Sequence, residues 1–145
     1  MTSPWIAKDT TAHQDHVIAH IIGSKVLGFF ILDEALHLLL DMGFIWTIYV
    51  DGEMGLLQQG LAISELEIDG ETKQELLADV DLLQHQGIDL PQPSRMRVAP
   101  ADCRITEVDF FSCADYRRLV LTGEEASLAI ETSLTTAEIQ IYEYR

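Results

Sequence analysis

One stretch, Lys25 to Gln59, KVLGFFILDEALHLLLDMGFIWTIYVDGEMGLLQQ, limits the possible folds of this chain more than any other. Apolar blocks alternate in it with Asp and Gly, so several short elements must follow one another closely. Asp33 is a good helix N-cap, because its carboxylate can accept from the free N–H groups of a first turn. Glu34 adds negative charge where a helix dipole favours it. Leu36, Leu38, Leu39, Leu40 and Met42 are apolar, while Glu34, His37 and Asp41 recur at spacings of three and four, which predicts a helix over about 33–42 with a wet face. Gly43 then supplies a residue able to take positive φ. Phe44 to Val50 is β-branched or aromatic almost throughout, which predicts a central strand covered on both faces. Asp51-Gly52 predicts a tight hairpin turn, and Leu56 to Ile63 its return strand.

The flanking segments complete an α+β fold. Residues 1–13 are polar and contain Pro4, and read as a loose lead-in. His16 to Ile22 reads as a strand, with a helix over 15–22 as its rival, because a short apolar run fits either. Lys25 to Leu32 predicts a strand. Thr72 and Glu75 have the spacing of a capping box before Leu76 and Leu77, and Gly87 can stop the helix. The second helix is therefore placed at about 72–86, with Leu76, Leu77, Val80 and Leu83 inside and Glu75, Asp79, Asp81 and His85 outside. Pro91, Pro93 and Pro100 make the next segment irregular, with at most an edge strand at 95–98. Strands at 104–110, 117–121, 126–131 and 137–144 predict an antiparallel meander. The expectation is one domain, 1–145, mostly antiparallel sheet, with both helices packed on one sheet face.

Charge narrows the function classes. There are 24 acids against 9 bases, a net charge of −15. Polyanions and anionic lipid repel such a surface, so neither nucleic acid nor membrane is expected as a partner. Thirteen acids and one base, Lys73, lie between Asp33 and Asp89, which suits a basic protein partner. No apolar run reaches transmembrane length, and the N-terminus lacks a signal-peptide pattern. Cys103 and Cys113 do not make a disulfide framework, so a cytoplasmic location with reduced thiols is the expectation. A sheet this apolar on both faces needs more cover than two short helices give, which predicts a homodimer.

Few residues carry recognisable chemistry. In a helix, His13, His16 and His20 would share one face and could hold a transition metal; in a strand, only His16 and His20 would. Glu34 and His37, spaced i and i+3, could add ligands from a second segment. Acids alternate with glycines from Asp51 to Gly55, but the spacing of a calcium loop is missing. Arg95, Arg97, Arg104, Arg117 and Arg118 are the only basic concentration, suited to a small anion or to an acidic face of a second subunit. There is no phosphate-binding loop, nucleophile elbow or dinucleotide fingerprint. The reading is a non-catalytic binding or protein-interaction module without a cofactor. The alternative is a small metal-binding protein or enzyme that uses His16, His20, Glu34 and His37.

Overall fold

The computed structural model describes residues 5–32, 35–49, 62–84, 93–136 and 138–145. In chain order these form β1 (Ile6–Lys8), α1 (Ala12–Ile21), β2 (Val26–Leu32), β3 (Ala35–Leu40) and β4 (Ile45–Tyr49). A short 3-10 helix (Ile63–Glu65), α2 (Gly70–Gln84) and β5 (Arg97–Val98) follow. The chain ends with β6 (Ile105–Cys113), β7 (Tyr116–Gly123), β8 (Ser127–Ser133) and β9 (Ile139–Tyr144). The expected class holds: an α+β fold, mostly antiparallel sheet, with two α-helices among the described residues.

The strands make two antiparallel sheets, ordered β1-β6-β7-β8-β9 and β4-β3-β2-β5. They join at a corner where Lys25 bridges Arg104, Val26 N donates to Cys103 O at 3.0 Å and Ile105 N to Ser24 O at 2.9 Å. One face of each sheet meets the other in a shared core. Val26, Leu36, Leu38, Leu40, Trp46 and Ile48 come from the smaller sheet, and Ile105, Phe110, Leu119, Leu121, Leu128 and Ile130 from the larger.

The helix expected at 33–42 is not formed: residues 35–40 are strand β3. β3 pairs with β2 from Leu40 opposite Val26 to Ala35 opposite Leu32, and with β4 on its other edge. Leu36, Leu38 and Leu40 enter the inter-sheet core, whereas Leu39 belongs to a second core on the opposite face. With both faces covered, a strand shows no polar alternation, and its apolar run imitates a helical stripe. Its length of six residues fits a strand better than a helix. Gly43 does take positive φ, 92°, but it closes a hairpin loop of Asp41, Met42 and Gly43. Gly43 N donates to Leu40 O, and Leu40 N to Phe44 O. That is the three-residue loop with a left-handed last position that antiparallel strands favour.

The first helix lies instead at 12–21, where the strand reading of His16 to Ile22 gives way to its rival. A capping box decides it. Gln14 N donates to Thr11 Oγ1 at 3.1 Å, and Thr11 N to Gln14 Oε1 at 3.0 Å. Val17 and Ile21 anchor α1 in the inter-sheet core. α2 covers the other side of the smaller sheet, where Leu76 packs with Leu27, Phe30, Leu39, Ile45, Ile63 and Met96. The two helices thus serve different layers and do not share one sheet face. β4 is covered on both faces as expected, with Ile45 in the second core and Trp46 and Ile48 in the first. Among the described residues it pairs with β3 alone and so is not central. Part of the expected lead-in is ordered as β1, paired with β6. The Asp51-Gly52 turn, residues 56–61 of its return strand and the Gly87 helix stop lie outside the described residues.

α2 runs 70–84 and is capped by Asp69, one turn before the expected Thr72. Thr72 donates to the Asp69 carboxylate through both its backbone N, at 2.9 Å, and its hydroxyl, at 2.7 Å. These bonds, the backbone one foremost, hold the Asp69 carboxyl below its ordinary range. A depressed folded pKa stabilises above the unfolded value, about 3.9, and the contribution is lost as pH falls through the lower folded value. Asp69→Ala is therefore expected to lower the melting temperature near neutral pH, with the gap to the parent closing as the solution is acidified below the carboxylate range. Paired thermal melts across that range check it.

Candidate functional site

His16, His20 and His37 occupy two layers, and the side chain of His13 lies outside what the structure describes. His16 and His20 lie on the exposed side of α1, with ring centroids 4.7 Å apart and Nε2 atoms 3.3 Å apart. His37 points from β3 toward the α2 side of the smaller sheet. There it is buried, stacked on Phe30 at 4.7 Å and bonded through Nδ1 to the Thr47 hydroxyl at 2.8 Å. Val17 and Ile21, on the other side of α1, face the inter-sheet core, so that core stands between the two histidine positions. Glu34 lies outside the described residues. Among the described residues no three His, Cys, Asp or Glu side chains gather to hold a metal ion.

The two thiols are free, Cys103 buried and Cys113 half-buried. Burial pushes the Cys103 thiol up to about 11, so near neutral pH it is a protonated core side chain and a poor nucleophile.

The five arginines do not form one patch. Arg104 donates to Gly23 O at 2.7 Å and pairs with Asp41, staying at the sheet corner. Arg117 donates to the carbonyls of Ala114 and Tyr116 in the β6–β7 turn. Arg118 pairs with Glu131 at 2.8 Å and lies over the ring of Trp5 at 4.0 Å, with Tyr144 at 5.7 Å, on the outer face of the larger sheet. Only Arg95 and Arg97 share a concave surface.

That surface is a cleft of about 590 Å³ between the edges of the two sheets. One wall is Phe29, Phe30 and Ile31 of β2 with Arg95 and Arg97, and the other is Ile139, Gln140, Ile141 and Tyr142 of β9. β5 covers β2 only at Gly28 and Phe29, so Phe30 to Leu32 have no strand beside them there among the described residues. β9 pairs with β8 alone, which leaves its outer edge open among the described residues. Both walls therefore offer backbone N–H and C=O groups as well as side chains. Ile31 is 51% exposed, a large apolar side chain at the mouth of the inter-sheet core. A second hollow of about 490 Å³ shares Phe30, Ile31 and Arg95 and continues along α2 past Thr72 and Glu75.

A buried acid fixes the arginine wall. Asp79 of α2, expected on the wet face, is 0% exposed. Its carboxylate accepts from the backbone N–H groups of Ser94 at 2.7 Å, Arg95 at 2.8 Å and Met96 at 2.9 Å. Three converging donors replace the lost hydration of one carboxylate, which makes its burial affordable. The segment leading into β5 is thereby tied to α2. Arg95 pairs with Glu75, which raises its pKa, whereas Arg97 is exposed and has no ion pair among the described residues. On the opposite wall, burial raises the Tyr142 hydroxyl above its ordinary range, helped by Glu131.

The cleft is not evident from sequence, because its walls come from segments about a hundred residues apart. The only local signals were the pair Arg95-x-Arg97 beside prolines and the alternating apolar positions Ile139 and Ile141. Comparison with protein-family models, with curated proteins and with solved structures finds no match for this chain. Fold and site together define an α+β two-sheet sandwich with a partly basic cleft at sheet edges that are open among the described residues. No helix among the described residues is long and apolar enough to cross a membrane.

Proposed function

We propose that this chain is a non-catalytic interaction module whose recognition site is the cleft between β2 and β9. One observation supports it most: two sheet edges that are open among the described residues flank a groove lined by a half-exposed Ile31 and by Arg97. Open edges bind extended peptides by strand addition, with backbone hydrogen bonds for affinity and alternate side-chain pockets for specificity. The occupant we read is an extended segment that places an apolar side chain on Ile31 and a carboxylate on Arg97. In a chain of net charge −15, such a basic wall favours an acidic occupant at this spot. A basic partner, which the overall charge suits, would bind elsewhere on the acidic surface. Free thiols at Cys103 and Cys113 support a reducing, cytoplasmic setting.

Peptides alternating apolar and acidic residues, titrated into isotopically labelled protein, test the proposal. Amide shifts confined to β2, β5 and β9 are expected, with binding lost in Arg97→Glu and unaffected by Arg117→Glu. Shifts elsewhere, or an Arg97→Glu variant that binds equally well, would overturn it. The homodimer reading enters as a competing outcome. A particle of twice 16.3 kDa, dissociated by a Glu143→Pro change on β9, where the lost N–H points away from β8, would make a second copy the occupant.

A further inference from the structure

We infer that His16 and His20 form a two-imidazole chelate for a zinc-like divalent ion on the exposed face of α1. The inference is independent of the cleft. The two residues are one helical turn apart, i and i+4, so α1 brings their side chains to one place on its surface. Their Nε2 atoms are 3.3 Å apart. Two imidazole nitrogens bound at about 2.0–2.1 Å to one tetrahedral zinc ion stand about 3.3–3.4 Å apart. The separation already present is thus the one a tetrahedral ion imposes, and binding requires little rearrangement of the helix.

The two rings are edge-on, with an interplanar angle of 82°, so they are not stacked face to face, and their Nε2 atoms make the close approach. A zinc ion bound to both Nε2 atoms takes the place of their mutual contact, and the ring that carried its proton on Nε2 carries it on Nδ1 instead. The helix is held at its start and along one side: Thr11 and Gln14 close its first turn, and Val17 and Ile21 fix the side opposite the histidines in the core. Little backbone freedom remains to be lost on binding, which favours affinity. Both histidines are exposed, so the ion has an open entry path and water can fill its other positions. No third described side chain of a ligating type joins them, which makes this an open two-ligand site and not a closed structural one. His37, buried in the other layer against Phe30 and Thr47, takes no part.

The chelate would also act on the fold. An ion that bridges His16 and His20 only when the turn between them is helical binds the native state in preference to the unfolded chain, and so stabilises it. α1 is anchored in the inter-sheet core by Val17 and Ile21, so this gain is transmitted to the whole cooperative unit.

Calorimetric titration of tag-free protein with zinc chloride, in a buffer that does not bind metal, tests the inference. One ion per chain is expected, together with a higher melting temperature that a chelator reverses. Loss of an outer-shell partner already weakens metal sites by about 10–100-fold, and loss of a ligand should cost no less. His16→Ala and His20→Ala are therefore each expected to weaken binding by at least about tenfold, and His37→Gln to leave it unchanged. Cobalt substitution gives a second readout, since a tetrahedral cobalt site absorbs visible light and that band should vanish in both helix variants. Equal zinc binding by the parent and the His20→Ala variant, no binding by the parent, or loss on His37→Gln alone would each overturn it. Both alanine changes are at exposed helix positions, so the variants are expected to fold, and circular dichroism would confirm that they do.

Discussion

Asp79→Ala is expected to lower the stability of the protein by about 3 kcal/mol, since a buried donor left without an acceptor, here Met96 N, costs about 1–3 kcal/mol and the half-buried donors of Ser94 and Arg95 add a smaller share. The carboxylate accepts from three successive backbone N–H groups, those of Ser94, Arg95 and Met96. Truncation leaves them without an acceptor and opens a space beside Leu76 in the second core, since Asp79 is itself fully buried. For a chain of this size the change corresponds to a fall in melting temperature of about 10 °C. Asp79→Asn keeps the shape and one acceptor oxygen, so it should fall between parent and alanine variant. Amide exchange should accelerate first at residues 94–96, because these lose their acceptor directly. A variant that melts within a degree or two of the parent would show that the loop is held by something else. The same substitution frees the segment that carries Arg95 and Arg97, so it should also weaken any ligand bound at the cleft.

Gly123→Ala is expected to cost about 2–3 kcal/mol, the upper part of the range of about 1–3 kcal/mol for forcing one extra carbon into a packed site. A Cβ at position 123 would lie 2.2 Å from the carbonyl oxygen of Ala126, 3.0 Å from Cys103 Sγ and 3.2 Å from Arg104 N. Two of these are backbone atoms, which cannot swing aside as a side chain can. The need is for space alone, since the φ of Gly123 is not in the left-handed region. Relief requires the β7–β8 turn to move away from the corner where Cys103 and Arg104 join the two sheets. Chemical denaturation of Gly123→Ala beside Gly70→Ala checks it, because a Cβ at Gly70 meets nothing within 4 Å. Equal midpoints for the two would contradict the crowding.

The edge-strand and meander regions were largely legible because local rules decide them. β9 alternates along its length, polar turns separate β6 to β9, and prolines confine β5 to an edge. α1 could have been read correctly from Thr11-Ala-His-Gln14, a capping-box spacing just ahead of the ambiguous apolar run. β3 could not be read so directly, because cover on both of its faces erases the polar alternation that marks a strand. At the candidate sites, sequence named His16, His20, Arg95 and Arg97. It also grouped with them His37, which the structure places in another layer, and three arginines that the structure places elsewhere.

The sequence by itself determined the α+β class, the antiparallel meander, the second helix and the strongly acidic charge, since composition, periodicity and capping act over a few neighbouring residues. Only the tertiary structure decided that residues 35–40 are a strand, that Asp79 is a buried acceptor, and that β2 and β9 leave a cleft between their edges. Each of these depends on groups far apart in the chain. A two-sided cover, a set of three donors and an unpaired edge arise only when distant segments pack, and no local pattern of side chains encodes them.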